Sequence, residues 1–310
     1  MTANLVANSR CPSCHSYNIV PVDNFVVEQV SDGIFPGQYR VFSCKKCSLW
    51  FKDQFPEEEA IKRHYNRLEL AEDLWDYKHR LPHEKKLDKV LRDLPKRAKV
   101  LDVGCWTGRL LEVHTHLERC GIEPNPESAA VAATKGVKIL GTSATEDTLR
   151  GNTFDVITMI DVFEHLTAPT EIIKLLVRHL RPNGRLVVVT GRTNSFPVRL
   201  ARSTYWYFSM VPDHIVFLNK RFVTVLKERL GLKSVKATAI THYPFQLKKH
   251  IKELAWLLIW RFANPNSPFK SRLSRSPLFK RFARFKDTII CTTWRDHYYI
   301  VFEKTSKRYY

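Results

Sequence analysis

Thirteen residues, Lys99-Val-Leu-Asp-Val-Gly-Cys-Trp-Thr-Gly-Arg-Leu-Leu111, constrain this chain more than any other stretch. Lys99 to Val103 is apolar and β-branched enough for a strand covered on both faces. Gly104 and Gly108 lack a Cβ, so the backbone there can bend sharply and admit a ligand closely. The residues after Gly108 are expected to open a helix whose free N–H groups face that ligand. The spacing is Asp-x-Gly-x-x-x-Gly (Asp102, Gly104, Gly108). It is neither the Gly-x-Gly-x-x-Gly of dinucleotide binders nor a phosphate loop ending in Gly-Lys-Ser/Thr. No Lys follows the second glycine, which argues against a triphosphate.

Downstream, strand and helix patterns alternate. Arg119-Cys-Gly-Ile-Glu123 is a short strand ending in an acid, where a doubly wound sheet receives ribose hydroxyls. An acid solvated at a strand end is the plainer reading. Val137 to Ala144 reads as a third strand, Phe154 to Asp161 as a fourth, Glu171 to Leu180 as a helix and Arg185 to Thr190 as a fifth strand after a Pro182-Asn-Gly184 turn. Leu232 to Ile240 and His297 to Glu303 complete the set. The alternation predicts an α/β fold with a doubly wound, seven-stranded, mostly parallel sheet whose last strand is antiparallel.

Val100-Leu-Asp-Val-Gly-Cys-x-x-Gly108, Glu123, Phe154-Asp-Val-Ile with Glu164-His-Leu166, and Leu180-Arg-Pro-Asn-Gly-Arg-Leu186 together resemble the motif series of class I S-adenosylmethionine-dependent methyltransferases. The resemblance implies a cofactor site of Asp102, Gly104, Cys105, Gly108, Glu123, Pro124, Ala144, Thr145 and Asp161. The glycine turn would lie under the methionine end, Glu123 would hold the ribose, and residues 142–146 would edge the adenine. Asp161 would lie near the methionine and the incoming acceptor.

Cys11-Pro-Ser-Cys14 and Cys44-Lys-Lys-Cys47 are two Cys-x-x-Cys knuckles, a spacing at which four thiolates surround one structural Zn²⁺. A disulfide pair suits a reducing compartment poorly, and a redox motif would want one pair on a helix. About fifty residues form little core, and metal binding supplies the missing folding free energy, on the order of 10 kcal/mol. The knuckles with Leu49-Trp-Phe51 resemble the zinc-ribbon front of bacterial methyltransferases acting on sugars, polyketides and glycolipids. The glycine that usually follows the second Cys of each pair is replaced by His15 and Ser48. The expected organisation is a zinc ribbon over 1–55, a helical linker or lid over 56–97 with Tyr65, Trp75 and Tyr77 as lining candidates, and a methyltransferase domain over 98–310.

Methyl transfer from a sulfonium asks mainly for alignment, which is worth roughly 7–11 kcal/mol. An oxygen or carbon acceptor also needs a base, and a His suits that role. His165, directly after the fourth strand, and His214, in His-Ile-Val-Phe217, are the candidates, each with a packing role as the plainer alternative. Asp161, Glu164, His165 and His214 also resemble the set by which small-RNA 2′-O-methyltransferases bind a divalent metal.

The formal charge of +19 is uneven: residues 245–286 carry eleven Lys or Arg against one acid, Glu253. They lie in an insertion (242–290) that combines a basic helix bearing Trp256 and Trp260 with an alternating aromatic and basic run. Such a segment suits an anionic membrane surface, nucleic acid, or packing against the core or a second copy. No secretory pattern opens the sequence, and its longest apolar run, Leu254 to Trp260, is seven residues, against the ~20 of a membrane span. The expectation is a cytoplasmic enzyme, peripheral on the inner face of the membrane, that O-methylates a small-molecule, sugar or lipid-linked acceptor. An RNA methyltransferase and a non-catalytic zinc-containing module are its rivals.

Overall fold

The computed structural model describes residues 5–28, 34–67, 81–209, 211–232, 234–262 and 293–304. The front of the chain holds β1 (Leu5–Ala7), β2 (Ile19–Glu28), β3 (Gln38–Cys44), β4 (Trp50–Lys52) and β5 (Gln54–Pro56), then helices α1 (Glu58–Arg67) and α2 (Pro82–Arg92). The centre runs β6 (Lys99–Val103), β7 (Glu118–Ile122), α3 (Pro126–Thr134), β8 (Lys138–Gly141), α4 (Glu146–Leu149), β9 (Phe154–Ile160), α5 (Pro169–Arg178) and β10 (Leu180–Gly191). It closes with α6 (Phe196–Ala201), α7 (Trp206–Ser209), β11 (Val216–Phe217), α8 (Lys220–Arg229), β12 (Ser234–Ile240), α9 (Leu247–Phe262) and β13 (His297–Glu303).

Seven strands form one sheet in the order β12-β13-β10-β9-β6-β7-β8. β13 runs antiparallel to both its neighbours, and the remaining pairs are parallel. β6, an interior strand between β9 and β7, has Val100, Leu101 and Val103 buried, as its largely apolar run requires. Helices start where the sequence provides caps: Asn125 accepts the Ser128 N–H at 2.9 Å ahead of α3, and Asn219 accepts the Phe222 N–H at 2.9 Å ahead of α8.

Two local expectations change. The residues after Gly108 form successive turns, not a helix: Leu111 and Glu112 N–H both bond the Gly108 carbonyl, and Leu117 N–H bonds that of His114. Nine residues separate Gly108 from β7, too few to build a packed helix and return to the sheet. Pro182-Asn-Gly184 does not precede the fifth strand but interrupts it. β10 pairs β9 on both sides of an irregularity between Leu180 and Arg185, with Asn183 left-handed at φ 64°.

The front is not a separate bead. A four-stranded sheet of order β11-β4-β3-β2 pairs Val216 and Phe217, from the segment between β10 and β12, with Phe51 and Trp50. Lys52 N–H adds a bond to the Ile215 carbonyl, and the Ser13 and Thr170 hydroxyls meet at 2.6 Å. Cys11, Cys44 and Cys47 share one hydrophobic cluster with the main sheet's Leu101 and Ile157. Trp75 and Tyr77, and the insertion from 263 to 290, lie outside the described residues, as do the side chains of Trp256 and Trp260.

Candidate active site

The glycine turn occupies the carboxyl end of β6. Gly104 and Gly108 have φ of 72° and 73°, and Trp106 between them is also left-handed at 48°. A Cβ at Gly104 would run into Val162 Cγ2, so the loop after β9 packs directly on the turn. Gly104 and Cys105 N–H both bond the Ile122 carbonyl, tying the turn to β7. The Cys105 side chain is buried, its sulfur lying where a Cβ on Gly121 would fall. Any ligand contact by Cys105 is therefore through its backbone.

Glu123 follows β7 and is turned to this bend. One carboxylate oxygen accepts the Trp106 N–H at 2.8 Å and the other accepts the Asn125 N–H at 2.9 Å. It is buried, and burial raises its pKa. Each oxygen keeps a second lone pair for an incoming hydroxyl. Asp102, lower in β6, accepts the Thr158 hydroxyl at 2.6 Å, and burial pushes its pKa up to about 7. Pro124 is half-buried between Glu123 and α3. Ala144 is half-buried against the core, and Thr145 is an exposed cap that accepts the Thr148 N–H.

Beside the turn lies a mouth lined with imidazoles, organised in two sets. In one, Glu164 is buried and accepts the Tyr207 hydroxyl at 3.0 Å and the Thr190 hydroxyl at 2.8 Å. His165 packs 4.8 Å from His214 between ring centroids. Its Nδ1 lies 3.1 Å from Asp213 Oδ2, which also accepts the Tyr65 hydroxyl at 3.0 Å. Burial works against the His165 charge, but Asp213 overcomes it and raises the pKa to about 9. His214 is the opposite case: burial and the His165 charge lower it to about 3, and its Nδ1 bonds the Tyr207 carbonyl at 2.9 Å. Its Nε2 stands 3.9 Å from Glu164 Oε1.

The second set gathers around Asp161, which adopts a left-handed φ of 50°. Its Oδ2 lies 2.7 Å from His242 Nε2, and its Oδ1 lies 4.0 Å from His297 Nε2. His83, from the first turn of α2, stacks 5.0 Å from His242. Burial opposes ionisation of Asp161, yet the surrounding imidazoles hold it well below the usual carboxylate range. The four-residue set considered from sequence is thus divided. Glu164, His165 and His214 stay together, while Asp161 groups with His83 and His242.

At the front, the four knuckle sulfurs lie within 4.8 Å of one another, with Cys11–Cys47 and Cys14–Cys44 both at 3.5 Å. Tetrahedral zinc with sulfur at about 2.3 Å needs edges of about 3.8 Å, so the donor set fits such an ion. His15 and Ser48, which stand where glycine is usual, take φ of 56° and 67°. The knuckle turns therefore keep their left-handed residue without the glycine.

Residues 68–237 match the family model described as a methyltransferase domain. The chain belongs to the methyltransferase domain family. Over 122 residues this methyltransferase is 33% identical to a ubiquinone biosynthesis O-methyltransferase of Rickettsia conorii, covering 36% of this chain and 41% of that protein. A mitochondrial protein of the same description from Schizosaccharomyces pombe is 31% identical over 147 residues, 41% of this chain and 53% of the other. The matched region thus spans about half or less of these relatives. An uncharacterized protein of Methanocaldococcus jannaschii is 23% identical, covering 54% of this chain and 79% of its own length. Among solved structures, an S-adenosylmethionine-dependent methyltransferase from Archaeoglobus fulgidus superposes with a TM-score of 0.47 at 17% identity, covering 72% of this chain and 93% of the other.

Sequence reasoning missed His83, His242 and His297 as members of this methyltransferase's mouth. A topological signal for two of them was present. β12 ends just before His242, and the antiparallel β13 begins at His297, so both must sit at the carboxyl edge where parallel strands open their crevice. His83 carried no such signal, because α2 reaches the mouth only by packing. Tyr65, foreseen as a lid residue, does reach it, and its carbonyl also accepts the Asn125 side chain at 2.9 Å.

Proposed function

We propose that this chain moves the methyl group of S-adenosylmethionine to a hydroxyl oxygen of a small, sugar or lipid-linked acceptor. The observation that carries the reading is the carboxylate of Glu123, held by two backbone N–H groups so that it faces the Gly104–Gly108 bend. Asp102, Gly104, Cys105, Gly108, Glu123, Pro124, Ala144, Thr145 and Asp161 are the proposed cofactor contacts. Glu123 would accept the ribose hydroxyls, and the glycines would let the methionine end lie against the backbone. His165 and His214 are the proposed acceptors of the hydroxyl proton. His165 has the Asp213 carboxylate to stabilise its charged form, the usual arrangement of an oriented base. Relatives named for O-methylation in ubiquinone biosynthesis favour oxygen as the methylated atom.

The cysteine cluster is proposed to hold a structural Zn²⁺ that braces β3 and β4 against β11. The working boundaries remain 1–55, 56–97 and 98–310. The ribbon and the main domain are expected to unfold together, since β11 completes the ribbon's sheet.

Association with an anionic membrane at the cytoplasmic face is supported by α9. Glu253 and Leu257 turn inward, the former accepting the Thr293 N–H at 3.1 Å. Phe245, Leu247 and Ile251 are each more than half exposed next to the exposed Lys248, Lys249 and Lys252. That combination is the pattern of an interfacial helix. Among the described residues no helix is long and apolar enough to cross a membrane.

Calorimetric titration of S-adenosylmethionine into wild type and Glu123→Ala tests the cofactor reading. Binding to wild type and a loss of affinity of about a hundredfold in the variant are expected, and absence of binding to wild type would sink it. Flotation with phosphatidylglycerol vesicles, against RNA binding across a salt series, separates the membrane reading from the nucleic-acid one.

A further inference from the structure

The two halves of the mouth differ in how completely their polar atoms are used. Around His165 they are used: Glu164 accepts hydrogen bonds at both oxygens, and His165 and His214 each have a partner at Nδ1. Around Asp161 they are not. His83 Nδ1, His242 Nδ1 and Asp161 Oδ1 are buried without a hydrogen-bond partner. His83 and His242 are only 2% and 5% exposed. Three such atoms in one cluster are a cost that a packed interior seldom carries without a function, since each forgoes about 1–3 kcal/mol of hydrogen bonding.

We infer that His83, Asp161 and His242 form a binding site for a divalent first-row transition metal, separate from the cysteine cluster. One ring nitrogen from each imidazole and one oxygen of Asp161 lie mutually within 4.8 Å. Donors at about 2.1 Å from one ion stand roughly 3–4 Å apart, so small side-chain rotations bring all three onto a single centre. Two imidazoles with one carboxylate select zinc, cobalt, nickel or ferrous iron. Magnesium and calcium prefer all-oxygen sites.

His297 fits as the outer support. Its Nδ1 bonds Asp296 Oδ1 at 2.8 Å, which points Nε2 toward Asp161. The Asp296 carboxylate fixes the His297 ring, which stands beside Asp161 as a neighbour of the three donors and not as one of them. Asp161 takes a left-handed φ of 50°, which a short polar residue adopts more readily than most. The Asp161–His242 ion pair alone would leave His83 Nδ1 and Asp161 Oδ1 unexplained. The site stands whether or not the acceptor reading is right, and no step of methyl transfer is assigned to the ion.

The test uses the full chain with its cysteine site first filled with zinc, titrated with Co²⁺ and followed by visible absorption. One further equivalent is expected, with ligand-field bands and no thiolate-to-cobalt charge transfer. His83→Ala and His242→Ala should each weaken it at least tenfold, while His214→Ala leaves it unchanged. No further equivalent at millimolar Co²⁺, or binding lost in His214→Ala but kept in the other two, overturns the proposal. Cadmium NMR on wild type probes the same site without a variant. A second resonance in the nitrogen–oxygen range supports the site, and a sulfur-range resonance alone refutes it.

Discussion

The glycine cradle and the imidazole-lined mouth share one edge of the sheet, yet they are assembled in opposite ways. The cradle comes from one contiguous run, Lys99 to Asn125, and works largely through backbone: two glycines, a left-handed Trp106 and N–H groups aimed at Glu123. The mouth draws side chains from α2, the loop after β9, α7 and the residues following it, and the inner ends of β12 and β13. A site of backbone tolerates little change at a few positions. A site of side chains can be altered one function at a time, because each group arrives on its own element.

The sharpest way to break this contrast is at the mouth. His165→Ala is expected to lower kcat by about 10²–10⁴, the range of a lost general base, with cofactor affinity within about twofold of wild type. With its pKa near 9, His165 is protonated at neutrality. As the base it would make kcat climb roughly tenfold per pH unit until about pH 9. His214, lowered to about 3, is neutral from pH 5 to 8 and would give a flat profile. A flat profile with full activity in His165→Ala would remove His165 from the reaction.

In the cradle, Asp102→Asn separates structure from charge. The folded carboxyl titrates near 7 because it is buried, above its unfolded value near 4, so the folded state holds the proton longer. Stability from this group is complete below about pH 4 and is lost as pH rises toward 7. The Asn variant should therefore gain on wild type with rising pH, by up to about 4 kcal/mol at pH 8, in urea unfolding. A difference that does not vary with pH would contradict a buried, neutral carboxyl.

Smaller effects sharpen the backbone side. Gly104→Ala combines a left-handed φ with the Val162 contact and should cost about 2–3 kcal/mol along with cofactor affinity. Gly151→Ala, at φ 71° with open space around it, should cost only about 1 kcal/mol. Equal losses would show that packing against Val162 is unimportant. A comparable change is expected on the exposed face of α9: replacing Lys248, Lys249 and Lys252 singly with Gln should weaken vesicle flotation by about 1 kcal/mol each, less at high salt.

Much of the fold was legible because its signals are local. Apolar runs gave the strands, and Glu123 followed its strand as expected. Asn125 and Asn219 mark helix starts through a bond to a residue three positions on. The failures were also physical. The run after Gly108 has helix-forming residues, but the short return to β7 overrides their propensity. Trp106, His15 and Ser48 are left-handed without being glycine, which composition cannot announce.

The sequence by itself determined the strand order's raw material, the glycine bend with its acid, and the two cysteine knuckles, since each depends on residues close along the chain. Only the tertiary structure decided that Asp161 parts from Glu164 and His165, that His83 crosses from α2 to meet it, and that β11 joins the sheet of β2, β3 and β4. Those outcomes rest on which elements pack together, and side chains some eighty or more residues apart acquire a common environment only when the core closes around them.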